Sequence, residues 1–113
     1  MIVHIVEDDE AVADALAIVL GELNYHPAVY SDGETFLTEA EVSADDLVIL
    51  DLGLPGMSGV EVARQLNSRT VPPRIIAISG KPQARLNRHM QNLPGMTVLR
   101  KPLSIETLAD AVS

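Results

Sequence analysis

The 113-residue sequence contains no cysteine. That absence excludes a disulfide framework, a thiolate metal site and a cysteine nucleophile together, and it hints at a reducing compartment. Tryptophan is also missing and aromatic residues make up only 3% of the chain, so the stacking platforms that single-stranded nucleic acids need are not available. No Lys or Arg precedes Arg64, although fourteen acids do. The opening MIVHIVEDDE therefore lacks the basic n-region of a secretory signal. No apolar run approaches the ~20 residues of a membrane span. A soluble cytoplasmic protein, without membrane contact or direct nucleic-acid contact, is the expectation.

What is present suits one packed domain spanning residues 1–113. Hydrophobic residues make up 47% and no low-complexity tract or linker interrupts them. The net charge of −8 is unevenly distributed: residues 64–113 carry all eight basic residues and only two acids, Glu106 and Asp110. For most of these charges a solvated surface is explanation enough.

The hydrophobic period alternates along the chain. Ile2–Val6 is an apolar strand apart from His4, and Val12, Leu16, Val19, Leu20 and Leu23 then recur at helical spacing. Ala28–Tyr30 is a short second strand, followed by Ser31 and Glu34 as a capping box for a helix to about Ala40. Leu47–Leu50 is a third strand, and Ser58 with Glu61 caps a helix that turns Val62 and Leu66 inward. Arg74–Ile78 is the fourth strand, after which Leu86, Met90 and Leu93 lie at helical spacing beyond Pro82. Thr97–Leu99 is the fifth, and Ser104 caps a last helix with Ile105, Leu108, Ala109 and Val112 inward. Five strand–helix units predict an α/β fold, a five-stranded parallel sheet with helices on both faces.

Ligands of such open sheets bind outside the carboxyl ends of the strands. There the first strand delivers Glu7, Asp8 and Asp9, the third Asp51, the fourth Ser79, and the fifth Arg100 and Lys101. Carboxylates arriving from two strands make a hard-oxygen site suited to Mg²⁺. A lysine amine and a serine hydroxyl beside them suit the oxygens of a phosphoryl group. Favourable charge at a helix N-terminus accounts for Asp9 and Glu10. It does not account for an acid, a hydroxyl and a lysine on three further strands.

IVEDD, DLGLPGMSG, ISG and RKPL, with 43 residues from Asp8 to Asp51, 28 on to Ser79 and 22 more to Lys101, resemble the receiver domain of two-component response regulators over the whole chain. The resemblance implies a flavodoxin-like, doubly wound (βα)5 fold with strand order 2-1-3-4-5. It implies that Asp51 is the phosphoacceptor, with Mg²⁺ held by Glu7, Asp8, Asp51 and the backbone carbonyl of Gly53. Ser79 and Lys101 would contact the phosphoryl group, with Pro102 cis. A histidine kinase or phosphotransfer protein would be the donor. A downstream protein would read the helix after Pro82 and the fifth strand, and a homodimer is compatible with this. Such a chain promotes only its own phosphorylation and dephosphorylation, and no output domain follows within these residues.

Val98 and Leu103 occupy positions where the family often carries aromatics, and Lys81 adds a positive charge two residues past Ser79. Val98 predicts a switch that works without a ring swinging inward, or an adaptor that ignores phosphorylation. An aspartate-nucleophile phosphatase is a weaker alternative, because Gly53 stands where a second acid would be needed. A nucleotide or flavin module is disfavoured by acids in place of a glycine-rich anion loop after the first strand. His4 reads as a core residue, His26 and His89 as surface residues, Met57 and Met90 as packing, and Arg85 and Arg88 as a solvated face.

Overall fold

A strand whose every side chain is buried needs cover on both faces, and Leu47–Asp51 is such a strand: all five residues are buried. In the computed structural model, which describes residues 1–80, 97–101 and 103–112, it is β3 of a parallel sheet. The other strands are β1 (Ile2–Val6), β2 (His26–Tyr30), β4 (Arg74–Ser79) and β5 (Thr97–Arg100), in the order β2-β1-β3-β4-β5. The helices are α1 (Glu10–Glu22), α2 (Gly33–Glu39), α3 (Gly59–Asn67) and the C-terminal α4 (Ile105–Val112). The helix expected after Pro82, with Lys81, Arg85, Arg88, His89 and Met90, lies outside the described residues, as does Pro102.

The period of two along each strand sorts the core into two layers. Val3, Ile5, Leu47, Ile49, Ile76 and Ile78 face α1 and α4, where Leu16, Leu20, Leu108 and Val112 meet them. Val6, Val48, Leu50 and Ile75 face α2 and α3, against Phe36, Val62 and Leu66. Parallel pairing of β1 with both β2 and β3 puts the reversal of winding between β1 and β3. The carboxyl ends of those two strands flank the crevice that such a reversal opens.

Several local expectations shift. β2 begins at His26 and takes in Pro27, which an edge strand tolerates because one side of its backbone needs no partner. Asp32, not Ser31, caps α2: its carboxylate accepts the Thr35 N–H at 2.6 Å. Ser58 caps α3 as expected, through the Glu61 N–H at 3.2 Å, but the Glu61 carboxylate turns to Arg64 instead of closing a capping box. Leu23 and Ile105 are exposed, at 38% and 65%. Both stand at the end of a helix, where the apolar stripe runs past the sheet that would cover it. His4 is a core residue as expected, with Nε2 3.0 Å from Asp46 Oδ2 and its ring against Phe36.

Candidate functional site

Glu7, Asp51 and Lys101 each stand two residues beyond a core side chain of the α1/α4 layer, namely Ile5, Ile49 and Leu99. The same alternation that turns those three aliphatics toward the core therefore carries an acid, an acid and an amine to one rim of the sheet. The ladder continues past the strand ends to hold them there: Glu7 N–H donates to Tyr30 O at 3.0 Å, and Lys101 N–H donates to Ser79 O at 2.9 Å. Asp51 is itself the last residue of β3, buried to 4% exposure.

Lys101 Nζ lies 2.6 Å from Glu7 Oε1 and 3.4 Å from Asp51 Oδ2. Gly53 N–H donates to Asp51 Oδ1 at 3.0 Å. Carboxylate oxygens of Glu7, Asp8 and Asp51 all fall within 4.8 Å of one another, with Asp8 exposed and the other two buried. Ser79 closes β4 and is buried, and Val98 packs half-buried beside Ala77, its register partner, and Leu52. All the acids, the serine and the lysine singled out in the sequence thus reach one end of the sheet. Sequence reasoning paired Lys101 with the incoming group and overlooked its tighter partner, Glu7. The signal was available in the identical parity of the two residues relative to Ile5 and Leu99.

The electrostatics follow from crowding acids in a dry place. Burial raises the Glu7 carboxyl to about 7, helped by the facing Asp51 and opposed by Lys101. Asp51 goes the other way. Burial would raise it, but the facing Glu7, the hydrogen bond from the Gly53 N–H and the charge of Lys101 outweigh that and hold it below the usual carboxylate range. For Lys101, burial works against the charged amine, and the bond to Glu7 and the charge of Asp51 overcome it, so the amine stays protonated. At neutral pH the rim therefore holds an ionised Asp51, a cation beside it and a Glu7 near its titration midpoint.

A measurable consequence has a definite sign. The folded value of Glu7 lies above its ordinary 4.5, so the folded state binds the extra proton between the two values. Without metal, stability should be fullest below pH 4.5 and fall as the pH rises through 7, by roughly 3 kcal/mol for a shift of this size. Urea midpoints measured across that range in chelator should decline, and Glu7→Gln should flatten the decline. A parent profile that is already flat would mean that Glu7 is not held protonated.

Glu7 Oε2 is buried with no hydrogen-bond donor among the described residues. An orphaned carboxylate oxygen beside two other oxygen donors fits a hard cation that keeps part of its water shell.

A family model described as the response regulator receiver domain matches residues 3–113. The sensory transduction protein RegX3 of Mycolicibacterium smegmatis is 47% identical over 74 residues, which are 66% of this chain and 32% of that protein. The positive alginate biosynthesis regulatory protein of Pseudomonas aeruginosa is 32% identical over 115 residues, 99% of this chain and 46% of its own length. This chain thus spans about a third of one of those relatives and just under half of the other. A CheY-like receiver domain from Methanospirillum hungatei superposes with a TM-score of 0.85 at 21% identity, covering 97% of this chain and 88% of its own, and it supports the fold alone. With the strand order, the acidic rim and a family match over nearly its whole length in agreement, the chain belongs to the response regulator receiver domain family of two-component signalling.

Proposed function

We propose that this chain is a phosphorylatable receiver in which Asp51 accepts a phosphoryl group from a histidine kinase or phosphotransfer protein. The observation that carries this is the geometry at Asp51: a buried carboxylate at the mouth of an acidic rim, with the Gly53 N–H on one oxygen and Lys101 Nζ 3.4 Å from the other. An ionised carboxylate is a nucleophile, and one fixed from two sides spends little entropy in reaching attack geometry. In the transfer, the phosphorus–nitrogen bond of the donor breaks as the Asp51 oxygen–phosphorus bond forms, and the electron pair leaves on the donor imidazole. Water later cleaves the acyl phosphate and restores the carboxylate.

Glu7, Asp8, Asp51 and the Gly53 carbonyl would hold the metal. Mg²⁺ bound there would offset the charge between three acids and the incoming phosphoryl oxygens. Lys101 has a shift of partner available to it, from Glu7 Oε1 toward a phosphoryl oxygen, with its amine charged throughout. Ser79, joined to Lys101 through the backbone, would supply a hydroxyl to the same group. Downstream, the segment after Ser79 together with β5 would present the change to a protein partner, and two copies could pair through that face. Val98, stiff at χ1 and packed against Leu52, favours readout without an aromatic swing. It also keeps a phosphorylation-independent adaptor as the second reading.

Incubation with a small acyl phosphate and Mg²⁺, followed by intact mass, tests the proposal. One added phosphoryl group is expected with Mg²⁺ and none in chelator. No addition in either condition would overturn it in favour of the adaptor.

A further inference from the structure

The turn from Leu52 to Ser58 connects Asp51 to α3, and its middle is exposed at Gly53, Pro55 and Gly56. Both ends of this turn are tightly held. At the front, the Gly53 N–H is bound to Asp51 Oδ1. At the back, Ser58 caps α3, and Gly59 lies so close to β3 that a Cβ there would come within 2.2 Å of Asp51 O. The exposed middle is held by a side chain from another element. Glu34, in the first turn of α2, accepts the Met57 N–H on Oε1 at 3.3 Å. Its other oxygen lies over Gly56, whose φ is +68°, and a Cβ at Gly56 would sit 2.8 Å from Glu34 Oε2. Gly33, one residue earlier, seats α2 against the same turn, since a Cβ there would meet Val62 Cγ2 at 2.6 Å and Met57 O at 3.5 Å.

We propose that Glu34 is a positioning residue for the phosphoacceptor site: by holding the Gly56–Met57 peptide it fixes the turn in the shape that presents the Gly53 carbonyl to the bound cation. This rests on the reading of Asp51 and Gly53 given above. The glycines explain why the tether must come from outside. A turn with glycine at 53 and 56 has broad backbone freedom, and the Gly53 N–H bond constrains the donor side of that residue while leaving its carbonyl free to rotate with the next peptide. Between Gly53 and Met57 only Leu54 is buried. Losing the Glu34 bond therefore frees the carbonyl more than it disturbs the core. The contact also makes the first turn of α2, where Glu34 stands 17 residues before Asp51 in sequence, part of the site's support.

The test compares Glu34→Ala with Glu34→Gln, which keeps the acceptor oxygen and loses the charge. Calorimetric Mg²⁺ titration of the Ala variant should give affinity weakened about fivefold, the equivalent of one hydrogen bond. The Gln variant should stay within about twofold of the parent. Amide exchange of Met57 in the metal-free protein should quicken in the Ala variant and recover in the Gln variant. Unchanged Mg²⁺ affinity in the Ala variant, or equal weakening in both variants, would overturn the proposal, the second outcome assigning Glu34 a role through charge alone. A parent that binds no Mg²⁺ would instead overturn the underlying reading of the site, whatever the Glu34 variants do.

Discussion

Asp51→Asn should fold normally and take up no phosphoryl group, a loss of at least about a thousandfold in rate against the parent. The substitution is nearly isosteric, and the amide oxygen can still accept the Gly53 N–H that Oδ1 accepts at 3.0 Å. It removes the nucleophile itself, since an amide oxygen does not attack phosphorus at a useful rate. It also removes one of the acids facing Glu7, which lowers the penalty for ionising Glu7 although burial, the larger cause, persists. Against that, the fold favours the ionised form of Asp51 and the variant loses this contribution, so the two effects oppose and the metal-free variant should stay within about 1 kcal/mol of the parent near neutral pH. Intact mass over time with a small acyl phosphate and Mg²⁺ reads the first effect, and urea denaturation in chelator reads the second. Uptake at the parent rate would show that another group, such as Ser79, is the acceptor.

The parts of this molecule that repeat were legible in the sequence. Leu47–Leu50 is an unbroken apolar run because β3 lies between β1 and β4 and under helices on both faces, and no other element type suits four such residues before a Gly-Pro turn. The site was legible for the same reason: residues at the ends of parallel strands share a rim by topology, so Glu7, Asp51, Ser79 and Lys101 needed no distance information to be grouped. What could not be read were contacts between residues that no period relates. Asp32 and Ser31 are both good caps, and only backbone geometry at Gly33 decides between them. Glu34 looked like half of a capping box, and it instead reaches Met57 across 23 residues of chain. Ile105 fits the helical stripe of α4, yet the stripe outlasts the sheet beneath it. Asp46 is the largest such case. Beside Asp45 it looks like another loop acid, and register alone brings it to His4.

Asp46→Ala should destabilise the protein by about 3–4 kcal/mol, a large share of the ~5–15 kcal/mol typical of a domain. The carboxylate is 6% exposed and accepts from Ile2 N–H at 3.1 Å, from Ser43 N–H at 3.0 Å and from His4 Nε2 at 3.0 Å. Burial alone would raise its pKa, and these three bonds reverse that, holding the group at about 2 against an ordinary 3.8. Truncation strands two backbone donors and leaves His4 with neither ring nitrogen paired, because His4 Nδ1 already has no partner among the described residues. Replacing His4 by Leu in the Asp46→Ala background should recover part of the loss, since a buried polar ring without partners costs more than an aliphatic one. The pH dependence carries the opposite sign to that of Glu7. A depressed pKa gives stability that is present above 3.8 and lost as the pH falls through 2. For Asp46 that is about 1–2 kcal/mol after allowance for solvent at the amino end of the sheet. The two groups together place the metal-free optimum near pH 4, between their windows. Asp46 precedes β3 at the end of the sheet opposite Asp51, so phosphoryl uptake by the folded variant should equal that of the parent. Urea unfolding with and without the second substitution measures the energies. A loss under about 1 kcal/mol for Asp46→Ala would show that solvent replaces the three bonds and that the pair contributes little.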